Sequence, residues 1–384
     1  MASIKSKIKR IGFACFCGIV RTLFPVNRKK VLFSSFLGKS YSCNPRAISE
    51  MLHDLDPSFR CVWCFEHPEE KKQRVPSYVK CVRIHSPSMF FHQITAGFWV
   101  DNYLKPIGLK KQAHQFYIQT WHGDRALKKV LADMSDHSAD FQYYESSHCD
   151  LVLSASTFAE KMYNSAFRYQ GKILKFGCPR NDILVNGNGV AVENFRKQYN
   201  VPNGVKLLLY APTFRDANKT QTQTLNDLNM RHVLDAFEKA TGNKWMLMLR
   251  GHTGRQLHVE GLEESTIIDV TDHEDSKYVL LAADAVISDY SSVATDFVIQ
   301  NRPTFLFIAD MEDYQRNSRS LYFRMEDSPF WYAHTEEELL KLIADCTPER
   351  AAENCRAVLD FYGTYETGKA TEAVCEYILE KANQ

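Results

Sequence analysis

Several things are scarce in this chain of 384 residues, and each scarcity removes a class of function. Net charge is nearly absent, at +1, so no global field or basic stripe argues for nucleic acid. No apolar run is long enough to span a bilayer. The stretch from Ile11 to Val20 is about half of the roughly 20 residues a spanning helix needs. A secretory signal would share its basic start and short apolar core, but no small-residue cleavage site follows cleanly. Repeats and low-complexity tracts are missing. No carboxylate cluster has metal-ligand spacing, so no metal ligand and no cofactor is assigned, and metal dependence stays open because a helix end and Arg250 could stand in for a cation. The cysteines number eleven and are scattered. The Cys61/Cys64 pair sits in a strand-like Arg-Cys-Val-Trp-Cys-Phe with no second pair or His pair to complete a zinc set. Buried free thiols in a reducing, cytoplasmic setting are the expectation.

What is present is an ordinary globular balance, 45% hydrophobic and 24% charged, with length for two domains. Strand-like apolar runs alternate with helical patterns: 31–36, 59–65, 79–84, 97–100, 116–120, 151–154 and 173–176, with a helix over 45–55. A turn-rich break at Asn186-Gly187-Asn188-Gly189 and Val201-Pro202-Asn203-Gly204 brackets a bridging helix over 192–199. The alternation restarts at 206–210, 245–250, 266–269, 285–288 and 304–308, with helices over 228–241, 276–283, 292–300 and 336–344. This pattern predicts two doubly wound α/β domains facing a cleft. Residues 28–190 would form the first and 200–360 the second. Residues 1–27 differ: Lys5, Lys7, Lys9 and Arg10 precede the apolar run, and Arg21, Arg28, Lys29 and Lys30 follow it. Cations bracketing a short apolar face suit a helix lying on an anionic membrane surface, with a packed first helix as the alternative.

Ligands of open parallel sheets bind beyond the carboxyl ends of the strands. Five clusters fall there. Ser288-Asp289-Tyr290-Ser291-Ser292 opens a helix, whose free N–H groups and dipole suit phosphate; plain capping by Ser291 is the other reading. Asp289 would hold a hydroxyl or fix the loop, since a carboxylate repels phosphate. Arg250-Gly251-His252 offers a guanidinium fork, against a surface arginine and a satisfied histidine. Pro212-Thr213-Phe214-Arg215-Asp216 can turn Thr213 and Arg215 toward the same cleft, and a structural turn explains it equally. Trp121-His122-Gly123 lies in the first domain, across the cleft, where His122 could take a proton near pH 7 or simply pack as a core histidine. Gly177-Cys178-Pro179-Arg180-Asn181-Asp182 carries a cation at the domain junction.

The ordered set Trp121-His122-Gly123 with Leu127-Lys128-Lys129, Gly177-x-Pro179-Arg180-Asn181-Asp182, Tyr210-Ala211-Pro212-Thr213-x-Arg215-Asp216, Arg250-x-His252 and Ser288-Asp289-Tyr290-Ser291-Ser292 resembles the CDP-glycerol glycerophosphotransferase family. That family comprises teichoic acid primases and polymerases and related capsule polymerases. Gly38-Lys39-x-Tyr41, Arg302-Pro303 and the Tyr314–Tyr322 segment also fit. The resemblance implies a GT-B fold, with residues 361–384 crossing back onto the first domain. It implies peripheral attachment at the cytoplasmic face of the membrane and a lipid-linked or glycan acceptor. The donor would be CDP-glycerol or CDP-ribitol, with CMP leaving. By the same resemblance His122 and His252 are the residues important for activity, His122 as general base. Arg250, His252, Ser291 and Ser292 would hold the donor pyrophosphate with Thr213, Arg215, Asp289 and Arg180 assisting. Trp121, Gly123 and Gly38 would lie on the acceptor side. One departure stands out: Asp124-Arg125-Ala126 follows Trp-His-Gly where the family usually has Thr-Pro, so this loop is expected to bear on the acceptor. A GT-B glycosyltransferase using a nucleotide sugar is the competing enzyme, and an inactive membrane-associated scaffold the non-enzymatic alternative.

Overall fold

The computed structural model describes residues 4–105, 110–134, 144–213, 228–251, 259 and 261–384, without the side chains of residues 4–10 and 144. Two parallel sheets form, of seven and six strands. The first contains β1 (Asn27–Ser34), β2 (Arg60–Phe65), β3 (Lys80–Arg83), β4 (Ala96–Asp101), β5 (Phe116–Gln119), β6 (Leu151–Ser154) and β7 (Lys172–Lys175). Their order is β3-β2-β1-β4-β5-β6-β7. The second contains β8 (Lys206–Ala211), β9 (Trp245–Leu249), β10 (Ile267–Asp269), β11 (Ala285–Ser288), β12 (Thr304–Phe307) and β13 (Tyr332–Ala333). Their order is β10-β9-β8-β11-β12-β13.

Central strands such as β1 read as continuous apolar runs because both faces are covered. Val31 and Phe33 enter one core with Trp63 and Phe98, while Leu32 enters the other with Trp99 and Tyr117. In each sheet the strand order reverses beside the first strand of its series: β1 lies between β2 and β4, and β8 between β9 and β11. Such reversals leave a crevice at the carboxyl ends, where doubly wound sheets take ligands.

Helix Pro348–Tyr362 packs with the second sheet's flank through Cys355, Val358 and Tyr362. Helix Ala370–Asn383 then joins the first sheet's core through Val374, Cys375, Tyr377 and Ile378. Cys61 and Cys64 are buried free thiols in β2, and desolvation pushes them up to about 11 and about 12.

The N-terminal helix, Ile4–Leu23, has two apolar faces. Phe13, Phe16, Cys17 and Val20 dock on helix Pro87–Thr95, with Phe13 edge-on to Phe90 at 4.7 Å. On another strip Ile11, Cys15, Ile19 and Leu23 recur every four residues and stay exposed. The segment is thus packed along one strip and displays an apolar surface along another. Among the described residues no helix is long and apolar enough to cross a membrane.

Candidate active site

The chain leaves β5 through a strained turn. Trp121 has a left-handed backbone (φ 48), rare for a bulky residue. Several groups hold it. Its N–H donates to Gln119 Oε1 at 2.9 Å, and Asn44 Nδ2 donates to the carbonyls of Thr120 and Trp121 at 3.1 and 3.0 Å. The indole stands edge-on to Phe167 at 4.8 Å. The turn delivers His122, whose ring stacks on Tyr103 (5.6 Å, 6°) and meets the edge of Phe36 at 5.1 Å.

His122 Nδ1 lies 2.6 Å from the backbone oxygen of Asn102. A carbonyl only accepts, so Nδ1 carries the proton and Nε2 keeps its lone pair. Desolvation pushes the His122 pKa down to about 4, opposed by the bond to Asn102 and helped by the positive Arg180. The imidazole is therefore neutral near pH 7, the state a general base requires.

Asn102 is a residue the sequence did not signal. Its side chain accepts from Phe36 N–H at 2.7 Å and donates to Ser35 Oγ at 3.1 Å, so it ties the loop after β1 to the carbonyl that holds His122. In that loop Phe36, Leu37 and Gly38 are successively left-handed (φ 46, 57 and 87). Gly38 is needed sterically, because a Cβ there would lie 2.8 Å from Ile84 Cγ2 and 3.1 Å from Glu66 N. Gly38 thus seats the loop that carries Phe36 to His122. At Gly123 the nearest atom to a Cβ would be Trp121 Nε1 at 3.6 Å, so packing does not demand glycine there.

On the second sheet, Thr213 and Asp289 come together across β8 and β11. The Asp289 carboxylate accepts from Thr213 N–H at 2.8 Å and from its hydroxyl at 2.5 Å, so Asp289 fixes the turn after Pro212. Ser288 Oγ donates to Ala211 O at 2.6 Å and locks the same two strand ends. Ser291 caps helix Ser292–Phe297 by accepting from Val293 N–H at 3.3 Å. Ser292 is the first residue of that helix. Arg250 follows β9 and donates through Nη1 to the carbonyls of Val270 and His273 at 2.8 and 3.0 Å. Arg215 and His252 lie outside the described residues.

Arg180 lies at the junction between the two domains. It is buried, and its Nε and Nη2 both donate to Asp296, at 3.0 and 2.9 Å. That pairing joins the two domains instead of presenting the fork to a phosphate. Arg125 completes the junction. Its side chain is fully buried, paired with Asp296 at 2.9 Å and Glu366 at 3.0 Å. Asn181 Nδ2 donates to the same two carboxylates. Asp124 accepts from Ala155 N–H at 3.1 Å and Ser156 Oγ at 2.8 Å. Of the Asp124-Arg125 departure, Arg125 builds the domain interface while Asp124 ties its loop to the end of β6, roles no spacing rule exposes. Asp296 belongs to the helix that Ser291 caps, and Arg125 is three residues beyond His122. One ion-pair network thus pins the His122 loop to the helix of the opposite sheet.

A model of the CDP-glycerol:poly(glycerophosphate) glycerophosphotransferase family matches residues 17–380. The chain is 32% identical over 374 residues to the teichoic acid poly(glycerol phosphate) polymerase of Staphylococcus epidermidis, covering 92% of this chain and 51% of that protein. It thus spans about half the length of that relative. With the protein of the same name from Bacillus spizizenii it shares 30% identity over 372 residues, covering 93% of each. It is also 25% identical to the teichoic acid ribitol-phosphate primase of Bacillus spizizenii over 98% of both chains. Among solved structures, the wall teichoic acid polymerase TagF superposes with a TM-score of 0.82 at 29% identity, covering 98% of this chain and 96% of that one. The two sheets accordingly form a TagF-like GT-B fold.

Proposed function

We propose the following division of labour for this chain, which belongs to the CDP-glycerol:poly(glycerophosphate) glycerophosphotransferase family and is a transferase of that type. The reaction class is passage of glycerol phosphate or ribitol phosphate from a CDP-activated donor, as in teichoic acid synthesis. Glycerol phosphate is the unit we assign, with the end of a poly(glycerol phosphate) chain or its lipid-linked primer as acceptor. An acceptor hydroxyl attacks the alditol-linked phosphorus, the bond from that phosphorus to the CMP oxygen breaks, and the hydroxyl proton passes to His122 Nε2. Developing charge falls on phosphoryl oxygens and on CMP. Arg250, His252 and Arg215 supply donors there, together with the N–H groups and hydroxyls at Ser291-Ser292, while Thr213, bonded to Asp289, assists by shaping the turn beside them.

The observation that carries this reading is the tautomer of His122, held with its lone pair outward by Asn102 O at 2.6 Å. The Arg125–Asp296 pair supports it by tying that histidine's loop to the Ser291 helix. The exposed strip of Ile11, Ile19 and Leu23, with cations on both sides of the helix, supports attachment to an anionic membrane surface. The deciding experiment is CMP release by the purified protein with a lipid-linked or synthetic acceptor, comparing CDP-glycerol, CDP-ribitol and a UDP-sugar. CMP from CDP-glycerol is expected. Turnover of the sugar nucleotide with silence from both CDP donors would overturn the assignment.

A further inference from the structure

A cavity of ≈ 410 Å³ lies between the N-terminal helix and the first sheet, away from the second domain. Its volume is that of a small-molecule pocket, for which about 300–1,000 Å³ is usual. The floor is apolar, formed by Leu32 of β1 and Cys64 of β2, both buried. Phe13 of the N-terminal helix, in contact with Phe90, lines the cavity together with Met89 and Phe90 of helix Pro87–Thr95. Leu37, 40% exposed, is at the rim. Polar side chains share the lining, namely Ser34, Glu66, His85, Gln93 and the buried Asp101 with its ion-pair partner Lys105.

Two segments of the wall adjoin the groups that hold His122. Leu37 follows Phe36, whose ring meets the His122 ring at 5.1 Å. Asp101 precedes Asn102, whose carbonyl lies 2.6 Å from His122 Nδ1. A further lining residue, Phe13, belongs to the helix that displays Ile11, Ile19 and Leu23 to solvent. The cavity therefore connects an exposed apolar helix surface with the shell around the catalytic histidine.

We propose that this cavity takes the proximal hydrocarbon chain of a membrane-anchored acceptor, so that the head group attached to it is delivered beside His122. The inference rests on the acceptor-side role assigned to His122 above. Each methylene that leaves the bilayer edge for an apolar wall keeps its burial, so the chain is held without a polar anchor. A phosphate-bearing group emerging past Leu37 meets the loop of Phe36–Gly38 and then the imidazole. Phe13 acts as a shared wall, so membrane attachment and acceptor entry are coupled through one helix.

The test has two arms. In the first, Met89→Trp fills the cavity, and CMP release is measured with glycerol phosphate acceptors with and without a single alkyl chain. The expected result is at least about a tenfold loss of kcat/KM for the chain-bearing acceptor, the equivalent of roughly two buried methylenes. The chainless acceptor and vesicle sedimentation should be unchanged. An equal loss for both acceptors, or none for either, overturns the proposal. In the second arm, an alkyl glycerol phosphate with a terminal diazirine is photolysed with the wild-type protein on vesicles and the label is mapped. Labelling of Ile84, Met89 or Phe90 is expected, and label confined to the exposed Ile11, Ile19 and Leu23 overturns the proposal. This arm needs no turnover. Failure of CMP release by the wild-type protein with every acceptor would count against the transferase roles and leave the labelling result to decide the cavity.

Discussion

His122 Nδ1 sits 2.6 Å from the carbonyl oxygen of Asn102, and that one contact sets both the tautomer and the orientation of the ring. Burial holds its pKa at about 4, below the ordinary 6.5. Protonation removes a base, so the acid limb of kcat/KM should fall near pH 4 and not near 6.5. Stability moves in the same direction. The unfolded histidine takes its proton first as pH falls through about 6.5, so the contribution present above that value is lost toward pH 4. A pH–rate profile beside melting curves at each pH separates the two. An acid limb centred on 6.5 would show that this imidazole is not the base.

Removing the imidazole tests the same assignment from the other side. His122→Ala should lower kcat by about 10²–10⁴-fold, the usual worth of a general base, while CDP-glycerol binding by calorimetry stays within about twofold. A variant with wild-type turnover would take His122 out of the mechanism.

Arg125 makes a prediction about stability. It is wholly buried between Asp296 and Glu366, at 2.9 and 3.0 Å. Arg125→Met leaves those carboxylates with less compensation, and breaking a buried pair this way costs about 3–5 kcal/mol. The urea midpoint should fall accordingly with the m-value unchanged. Because the same pair joins the His122 loop to the Ser291 helix, kcat should fall as well. A loss of under about 1 kcal/mol would mean that Arg180 and Asn181 hold the junction alone.

Gly38→Ala acts on the loop that touches His122. The position has φ 87, and the new Cβ would press on Ile84 Cγ2 at 2.8 Å and Glu66 N at 3.1 Å. Strain of this kind costs about 1–3 kcal/mol, read as a lowered melting temperature. Shifting Phe36 off the imidazole should also reduce kcat with little change in donor KM. A raised donor KM with normal kcat would place Gly38 on the donor side.

Most of the architecture was legible because parallel strands buried on both faces leave continuous apolar runs. All twelve runs read as strands correspond to strands β1–β12, and helix Glu336–Ala344 has the bounds the spacing predicts. β13, only Tyr332–Ala333, is too short to leave a pattern. Helix Pro348–Tyr362 was legible but not read: Thr347 caps it, Pro348 opens it, and Ala351, Cys355, Val358 and Tyr362 recur at helical spacing on its buried face. At the site, motif positions such as His122, Thr213 and Ser291 could be read from strand ends. Asn102 could not, since it acts through a backbone carbonyl. The partner of Arg180 was not legible, because a cation at a junction looks the same in sequence whether it meets a phosphate or the carboxylate of Asp296, 116 residues away.

The two faces of the N-terminal helix should respond oppositely to one kind of substitution. Val20 is 4% exposed and packs with Cys17 and Ile94, so Val20→Glu buries an unpaired carboxylate and should lower the melting temperature. Ile19 and Leu23, 58% and 66% exposed, touch little, so Ile19→Glu and Leu23→Glu should leave melting unchanged. Each replacement nonetheless removes an apolar side chain worth about 1.5–3 kcal/mol on burial and adds repulsion from anionic lipid. Binding to anionic vesicles should therefore weaken by about tenfold or more per site, and residual binding should fall further at high salt as the flanking cations are screened. Sedimentation with anionic and neutral vesicles, run beside thermal melts, checks both faces at once. If Ile19→Glu and Leu23→Glu bound vesicles like the parent protein, the exposed strip would not be the membrane contact.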